Sequence, residues 1–249
     1  MAHLILTGPT GLVGSAVLDA MLRSTSVSKV TLLTRRQVPQ AQAHANGSKA
    51  TTIIHSDYLN YPPSLLSQLT DADGCVWAQG ISVNQVDKDT YQQITVEHPL
   101  AFARAVINDK ARGSRPFTFV YVSGEGATTT PGALTAHFGR VKGEAESALL
   151  EMSKQYPHLK IWNVRPGGVD PGDHPEIQQF LPTYNTWLKR LEQRSLPLFR
   201  TIVPSLITPT RGMGEVFTKL ATGEIEDVQG NSVSGEGRTL NNVALRRLM

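Results

Sequence analysis

The sequence predicts an α/β fold, a doubly wound parallel sheet with helices on both faces and a small cap near its carboxyl end. Short apolar segments alternate with amphipathic helical segments over the first two thirds of the chain. After Pro166 this alternation gives way to several prolines and two short apolar stretches. Because 249 residues suit one such domain, we expect a single domain over 1–249, with residues 170–211 as the cap.

The predicted strands are runs of apolar and β-branched residues that end in turn signals. They cover 3–7, 29–34, 51–55, 75–78, 117–122 and 159–164, so we expect a sheet of about six or seven strands. The predicted helices carry apolar residues at helical spacing. They cover 12–23, 62–69, 87–108, 138–154, 212–220 and 243–248. Pro99 should kink or divide its helix, and residues 37–48 should form a loop.

Charge and cysteine content narrow the functional classes. The formal net charge is +3, with no run of five or more basic residues, which argues against nucleic-acid binding. The single cysteine, Cys75, lies in an apolar run, so we expect a buried thiol in a reducing compartment. We see no secretory signal and no apolar stretch near the ~18 residues of a membrane span, and therefore expect a soluble cytoplasmic protein without an integral membrane segment. No Cys/His spacing indicates a metal site, and a homo-oligomer is left open.

The clearest motif runs from Gly8 to Gly14, where three glycines spaced three residues apart join a predicted strand to a predicted helix. Gly8 permits a sharp turn, Gly11 lets the backbone approach a pyrophosphate, and Gly14 allows the helix to pack closely on the sheet. The free N–H groups at the helix start would face the anion. This is the Rossmann fingerprint for a dinucleotide. The predicted cofactor contacts in this loop are Thr7, Gly8, Thr10, Gly11, Leu12, Val13 and Gly14.

The end of the second predicted strand indicates which dinucleotide is bound. Sites that prefer NAD place Asp or Glu there, to bond the ribose 2′-hydroxyl. Here the residues are Arg35 and Arg36, whose guanidinium groups suit a 2′-phosphate. NADP(H) is therefore favoured over NAD(H). Asp57, at the end of the third strand, is placed to bond the adenine amino group, with Tyr58 beside it.

Four further segments follow in chain order. They are Ala78-Gln79-Gly80 and Tyr121-Val122-Ser123-Gly124 at strand ends, Lys142 on a helix, and Arg165-Pro166-Gly167-Gly168 after the sixth strand. With the glycine loop, this set resembles the short-chain dehydrogenase/reductase superfamily in its extended or atypical branch. Within that branch it is most similar to the Tat-interacting-protein-like reductases and the nucleoside-diphosphate-sugar-epimerase-like proteins.

The resemblance implies a role for each segment. Ala78, Gln79 and Gly80 would border the nicotinamide ribose. Ser123 would be the catalytic serine that orients a carbonyl, and Lys142 the catalytic lysine that also holds the ribose. The turn that closes over the nicotinamide would consist of Pro166, Gly167, Gly168 and Val169.

One position breaks the family pattern. The family pairs a Tyr, as general acid or base, with a Lys one helical turn later, but this chain has Phe138 four residues before Lys142. Another group would have to supply the proton, and the candidates are Tyr121, Glu125, His137 and Tyr184. The predicted substrate-lining residues are Ser123, Gly124, Glu125, His137, Phe138 and Tyr184.

Three functions follow as hypotheses. The first is an NADP(H)-dependent oxidoreductase that acts on a small carbonyl or alcohol. The second is a non-redox isomerase, lyase or cyclase that uses the same pocket, and the third is a non-catalytic protein that senses NADP(H). Glu144 and Glu146 follow Lys142 and are expected to form the solvated face of their helix.

Overall fold

The computed structural model describes residues 1–181 and 204–249. The predicted site residue Tyr184, and with it residues 182–203 of the predicted cap, lie outside the described part. Within the two described ranges, no helix is both long and apolar enough to cross a membrane.

Among the described residues, eight strands form one sheet, in the order β3-β2-β1-β4-β5-β6-β10-β9. Its strands are β1 Ala2–Thr7, β2 Val27–Thr34, β3 Ala50–Ile54, β4 Gly74–Trp77, β5 Phe117–Val122, β6 Leu159–Val164, β9 Val233–Ser234 and β10 Thr239–Leu240. All neighbouring strands are parallel except β9, which pairs antiparallel with β10. The six predicted strands are confirmed within two residues at each end.

A second, two-stranded sheet pairs β7, Gly168–Asp170, in parallel with β8, Ile207–Pro209. The sequence did not predict these two strands, or β9 and β10. Each is only two or three residues long, which is too short to show the alternation by which strands are recognised. The small sheet brings the turn after β6 against the segment that precedes residue 210.

Helices cover both faces of the sheet, as predicted. They are α1 Leu12–Arg23, α2 Pro39–Ala43, α3 Pro63–Leu66, α4 Lys88–Gln92, α5 His98–Ile107, α6 His137–Gln155, α7 Pro175–Gln178, α8 Thr210–Thr222 and α9 Asn242–Leu248. One apolar core joins α1, α8 and α9 to the sheet, and a second joins α3, α5 and α6 to the opposite face. Cys75 is buried in the second core, where desolvation raises the pKa of its thiol. This confirms the structural interpretation of that residue.

The predicted loop over 37–48 is wrong in part, because α2 and a 3₁₀ turn over Gly47–Lys49 lie within it. Pro39 is accepted at the start of α2, where its missing N–H costs nothing. The side chain of Gln40 is buried and donates from Nε2 to the carbonyl of Ser15, at 2.8 Å. This tertiary contact, which composition does not reveal, pins the segment to α1.

Pro99 divides its helix in a specific way. A π-helical turn over Gln93–Glu97 separates α4 from α5. A proline removes one N–H and crowds the carbonyl four residues earlier, here that of Thr95. That carbonyl instead accepts the hydroxyl of Tyr121, at 3.0 Å in the buried interior. The predicted interruption at Pro99 is confirmed, and it provides an anchor for a side chain of β5.

Candidate functional site

The glycine loop lies between the end of β1 and the start of α1. Gly8 has φ +65°, and a Cβ there would meet the carbonyl oxygen of Ala78 at 2.5 Å. A Cβ on Gly14 would lie 2.0 Å from the carbonyl oxygen of Gly8. Both glycines are therefore required by the protein's own packing. Gly14 brings the first turn of α1 against the loop itself, rather than against the sheet as the sequence interpretation supposed.

Gly11 differs from the other two glycines. A Cβ at this position would make only an ordinary contact, 3.5 Å from the Gly8 carbonyl oxygen. Gly11 is also the N-cap residue of α1, with no side-chain cap and no acidic residue in the first turn. The N–H groups of that turn thus keep their capacity to bind an anion. Packing within the protein does not require a glycine here, whereas a ligand phosphate close to the backbone would.

The arginines that follow β2 stand beside this loop. Arg36 donates from Nε and Nη2 to Thr10 Oγ1, at 3.3 and 3.0 Å. Arg35 is exposed. Together with Thr10 they form a cationic corner at the carboxyl end of β2, where the 2′-position of an adenine ribose would lie. The residues present fit a 2′-phosphate.

The loop after β3 is built around Asp57. The carboxylate accepts the backbone N–H of Leu59 at 3.1 Å and the amide of Asn60 at 2.8 Å. The bond from Asn60 is the first cause of the lowered pKa of this carboxyl. Tyr58 is buried, and its hydroxyl donates to the carbonyl of Leu33 at 3.4 Å. The side chain of Tyr58 thus fixes the loop to β2, and Asp57 is exposed beside it.

The end of β4 lies beside the glycine loop. The backbone N–H of Gln79 donates to Thr7 Oγ1 at 3.2 Å, which ties β4 to β1 at the level of the glycine loop. The side-chain oxygen of Gln79 is buried and has no hydrogen-bond partner among the described residues. A Cβ on Gly80 would meet open space. An unpaired buried acceptor is unfavourable without a ligand, so Gln79 fits a donor group on a bound molecule.

A cleft of about 470 Å³ lies at the carboxyl ends of β5 and β6. Its lining residues are Val13, Val122, Ser123, Gly124, Glu125, Phe138, Pro166, Gly167, Gly168, Val169 and Leu206. The structure thus brings the glycine loop, the end of β5, the start of α6 and the turn after β6 to one place. Of these residues, Val122 and Leu206 were not predicted as site residues, since Val122 was assigned only to the strand before Ser123 and a lone leucine carries no motif.

Ser123 is the polar centre of this cleft. It is 7% exposed, and its hydroxyl has no hydrogen-bond partner among the described residues. Its backbone N–H donates to the carbonyl of Val164, at 2.8 Å. Apart from Glu125, the other lining side chains are apolar, so a carbonyl or hydroxyl on a ligand is the natural partner for the Ser123 hydroxyl.

Lys142 lies directly behind the cleft wall. Its Nζ donates to the carbonyl of Val122 at 3.0 Å and lies 5.2 Å from the ring centre of Tyr121. Burial lowers the pKa of the ammonium to about 8, and the nearby carboxylate of Glu146 opposes that shift. Lys142 is therefore a desolvated cation whose hydrogen-bond partner, the carbonyl of Val122, directly precedes Ser123. Lys142 does not itself line the cleft.

The proposed substitutes for the missing tyrosine occupy different places. Tyr121 is buried with its hydroxyl bonded to the Thr95 carbonyl, so it serves the core. The ring of His137 lies 5.9 Å from that of Tyr91, and His137 is not among the residues that line the cleft. Glu125 does line it, while Tyr184 lies outside the described residues. Phe138 lines the cleft, and its correspondence to the family tyrosine stays a prediction.

The turn after β6 is anchored by an ion pair that sequence reasoning missed. Glu146 is fully buried, and its carboxylate accepts Arg165 Nε at 2.9 Å and Nη2 at 2.5 Å. The predicted solvated face is therefore wrong for Glu146, whereas Glu144 is exposed. Residues two apart on a helix project about 200° from each other. One of the two glutamates could thus have been expected to face inward.

The described residues contain no group of three or more His, Cys, Asp or Glu side chains that could hold a metal ion. The searched family models give no match. Among curated proteins, the leucinostatins biosynthesis cluster protein T of Purpureocillium lilacinum is 31% identical, over 98% of this chain and 94% of its own length. The botcinic acid biosynthesis cluster B protein 16 of Botryotinia fuckeliana is 35% identical over 60% of this chain. Protein fmp52, mitochondrial, of Aspergillus clavatus is 32% identical over 59%.

Solved structures show the same fold. A short-chain dehydrogenase/reductase from Saccharomyces cerevisiae matches over the full length of both chains, with a TM-score of 0.66 and 15% identity. A Burkholderia thailandensis oxidoreductase of that family matches 98% of this chain and 92% of its own, with a TM-score of 0.67 and 14% identity. The PhqB reductase domain from Penicillium fellutanum gives a TM-score of 0.65 at 16% identity, and this chain spans 64% of it.

Proposed function

This chain belongs to the family of the leucinostatins biosynthesis cluster protein T and has the fold of the short-chain dehydrogenases/reductases. From that premise we propose that it is a member of the short-chain dehydrogenase/reductase superfamily, binds NADP(H) and transfers hydride between the nicotinamide and a small carbonyl or alcohol. The observation that carries the proposal is the buried hydroxyl of Ser123, which has no hydrogen-bond partner among the described residues, in a cleft that begins at Val13 of the glycine loop. This continuity supports a site in which the reactive end of a bound dinucleotide would meet a second molecule beside Ser123.

The preference for the phosphorylated cofactor is part of the proposal. It is supported by the cation pair Arg35 and Arg36, by the bond from Arg36 to Thr10, and by a second strand that ends without a carboxylate. Guanidinium groups bond phosphate oxygens strongly and offer little to a neutral ribose diol. Asp57 on the neighbouring loop is the proposed partner of the adenine amino group.

The chain's own residues would act on the carbonyl as follows. The Ser123 hydroxyl donates to the carbonyl oxygen and orients it in the cleft. The Lys142 ammonium does not touch the substrate, but its positive charge, held behind the cleft wall at the end of β5, favours the negative charge that develops on that oxygen. NADPH supplies the hydride when bound. Glu125, which lines the cleft, is the proposed source of the proton that the oxygen takes up, and the turn that contains Gly167 and Gly168 would cover the nicotinamide.

Phe138 favours a second candidate function. Its ring lines the cleft at the place of the family's tyrosine, and it has no proton to transfer. The same cleft could then perform a non-redox isomerisation, elimination or cyclisation, or hold the dinucleotide without turnover. Glu125 is the one proposed proton donor that lines the described cleft, and it serves either reaction.

Relatives named for biosynthesis clusters support a small metabolite as the substrate. We propose the cytoplasm as the location. Relatives named mitochondrial, such as protein fmp52, make the mitochondrion the alternative. A fluorescent protein fused to the carboxyl end of the chain separates the two.

The reaction is tested by NADPH oxidation across a panel of small ketones and aldehydes, with Ser123→Ala as the paired variant. The proposal expects absorbance loss at the NADPH band for some carbonyls, and a rate lowered by about 100-fold in the variant. Product formation with no net change in NADPH would favour the non-redox candidate. Saturable NADPH binding without any turnover would overturn the oxidoreductase proposal.

A further inference from the structure

We propose that Asn242 is a positioning residue for the nicotinamide half of the cleft, where it holds three separate wall segments in register. The inference rests on the proposed function and names a residue far along the chain from every motif that indicated the site. Asn242 is the first residue of α9 and is 3% exposed.

The side chain of Asn242 joins two of the wall segments. Its Nδ2 donates to the carbonyl of Ser205 at 2.6 Å, and Ser205 precedes the cleft residue Leu206. Its Oδ1 accepts the hydroxyl of Thr208 at 2.5 Å. The Thr208 oxygen in turn accepts the backbone N–H of Gly167 at 2.8 Å. The amide thus links the segment after residue 204 to the turn after β6.

The backbone of Asn242 reaches the third wall segment. Its N–H donates to the Glu125 carboxylate, at 3.1 Å. Glu125 follows β5 two residues after Ser123 and lines the same cleft. One residue of α9 is therefore bonded, directly or through Thr208, to the three segments that contain Glu125, Gly167 and Leu206.

This network has only one consistent arrangement. The Ser205 carbonyl can only accept, so the amide nitrogen of Asn242 must face it and the amide oxygen must face Thr208. The Thr208 hydroxyl has one proton, which it gives to Asn242, and it is then free to accept from Gly167. Thr208 is fully buried, so water cannot take the place of any of these bonds when one is lost.

The turn after β6 and the segment that contains Leu206 are in close contact, so a small displacement of either would change the cleft. A Cβ on Gly167 would lie 2.2 Å from the Leu206 carbonyl oxygen and 3.0 Å from Asn242 Nδ2. The turn and the Leu206 segment are therefore packed backbone to backbone, with Asn242 between them. Loss of the amide releases both segments at the point where the nicotinamide would lie.

Asn241 provides a matched control. It is the N-cap of α9, and its side chain accepts the N–H of Ala244 at 3.0 Å. Asn241→Ala therefore weakens the same helix but removes no side-chain bond to a cleft wall. Asn242→Ala removes the side-chain bonds to Ser205 and Thr208, and Thr208→Val removes the hydroxyl that bonds Asn242 and Gly167. The backbone bond to Glu125 is kept in both. If Asn242 only stabilised α9, the two asparagine variants would behave alike.

The experiment measures the affinity of each variant for NADPH and for 2′-phospho-ADP-ribose, which lacks the nicotinamide ring. We expect Asn242→Ala and Thr208→Val to weaken the binding of NADPH by about tenfold or more and to leave the binding of the fragment unchanged. Asn241→Ala should leave the binding of both molecules unchanged. The double variant should lose no more than the larger single loss, because the two residues act in one chain of bonds. Equal behaviour of Asn242→Ala and Asn241→Ala would overturn the proposal.

A second readout works without any ligand. The Gly167 N–H is protected by Thr208, so its hydrogen exchange, followed by NMR, should accelerate by about tenfold or more in Asn242→Ala and not in Asn241→Ala. If the wild-type chain binds neither NADPH nor the fragment, the proposed cofactor is wrong, and this exchange alone decides the role of Asn242. Unchanged exchange at Gly167 would then overturn that role.

Discussion

Arg36 reaches from the end of β2 to the glycine loop, where its Nη2 lies 3.0 Å from Thr10 Oγ1. The contact holds a guanidinium group against the loop that leads into α1. Such a group is already placed for a phosphate, so little side-chain ordering is needed when the ligand arrives. The choice between NADP(H) and NAD(H) should therefore depend on this corner of the molecule.

Replacement of both arginines, Arg35→Ala with Arg36→Ala, should weaken NADPH binding by about 10- to 100-fold and NADH binding by less than about threefold. The reason is the loss of charge-assisted bonds to the 2′-phosphate, which NADH lacks. Isothermal titration of both nucleotides checks this, and the exposed Arg104→Ala is the control. Equal losses for NADPH and NADH would contradict the cofactor assignment.

Two glycines of one loop should respond differently to the same change. Gly14→Ala places a methyl group 2.0 Å from the Gly8 carbonyl oxygen, whereas the methyl of Gly11→Ala has room in the protein. We expect Gly14→Ala to lower Tm by several degrees and abolish NADPH binding. Gly11→Ala should keep Tm within about 2 °C and still lose NADPH. Normal NADPH binding by Gly11→Ala would mean that no phosphate approaches this backbone.

Lys142 should give the stability of the protein a specific pH dependence. The folded pKa of about 8 lies below the usual value, so between about pH 8 and 10.4 the unfolded chain binds more protons. The penalty for burying the ammonium is complete below pH 8 and is relieved as the pH rises. The free energy of unfolding of wild type, minus that of Lys142→Met, should therefore rise across this window, by at most about 1.4 kcal/mol per pH unit.

Urea denaturation at successive pH values measures this difference. Subtraction of Lys142→Met removes the titration of tyrosines and other lysines, which both proteins share. A difference that stays flat between pH 7 and 10.5 would show that the lysine is solvated in the folded protein.

Removal of one partner of the ion pair between Glu146 and Arg165 should lower the free energy of unfolding. Arg165→Met leaves a carboxylate with no exposed side-chain surface and no cation, and should destabilise the fold by about 3–5 kcal/mol. Glu146→Gln should cost less, because Arg165 keeps 16% of its side chain exposed. The exposed pair of Arg211 and Glu176 is the control, and Arg211→Met should cost less than about 1 kcal/mol. Similar losses from Arg165→Met and Arg211→Met would contradict the burial argument.

Phe138→Tyr should show whether a hydroxyl is the missing part. The ring edge, at Cζ, lies 3.1 Å from where a Cβ on Gly124 would stand, and Gly124 leaves that space open. A tyrosine hydroxyl would then enter the cleft near Ser123 and raise carbonyl reduction by about 100-fold or more, as a general acid does. Phe138→Leu is the control for packing. No gain with Tyr, while NADPH still binds, would favour the non-redox or non-catalytic function.

The fold could be predicted from the sequence where local signals were strong. Six strands and the Gly8 to Gly14 loop are found where apolar runs and glycine spacing predicted them. The two carboxyl-terminal helices were predicted as well, over 212–220 and 243–248, but the strands β7 to β10 were not, because they are too short for periodicity to be visible. Asn242 was not singled out, because its bonds to Ser205, Thr208 and Glu125 join segments that are distant along the chain.

Buried polar partners were the other class of feature that the sequence did not reveal. Glu146 is 19 residues from Arg165, and nothing in either local sequence links them. Tyr121 could be assigned to the core or the cleft until its hydroxyl was located at the Thr95 carbonyl. Such pairings depend on how α6 and the π-helical turn lie over β5, which is a tertiary property.

The central claim is that this chain holds a phosphorylated nicotinamide dinucleotide, and calorimetric titration of NADPH and NADH into the wild-type protein tests it most directly. The account predicts saturable binding of one NADPH per chain, with NADH weaker by about tenfold or more. Absence of saturable binding for both nucleotides, in protein that is folded by circular dichroism, would contradict it.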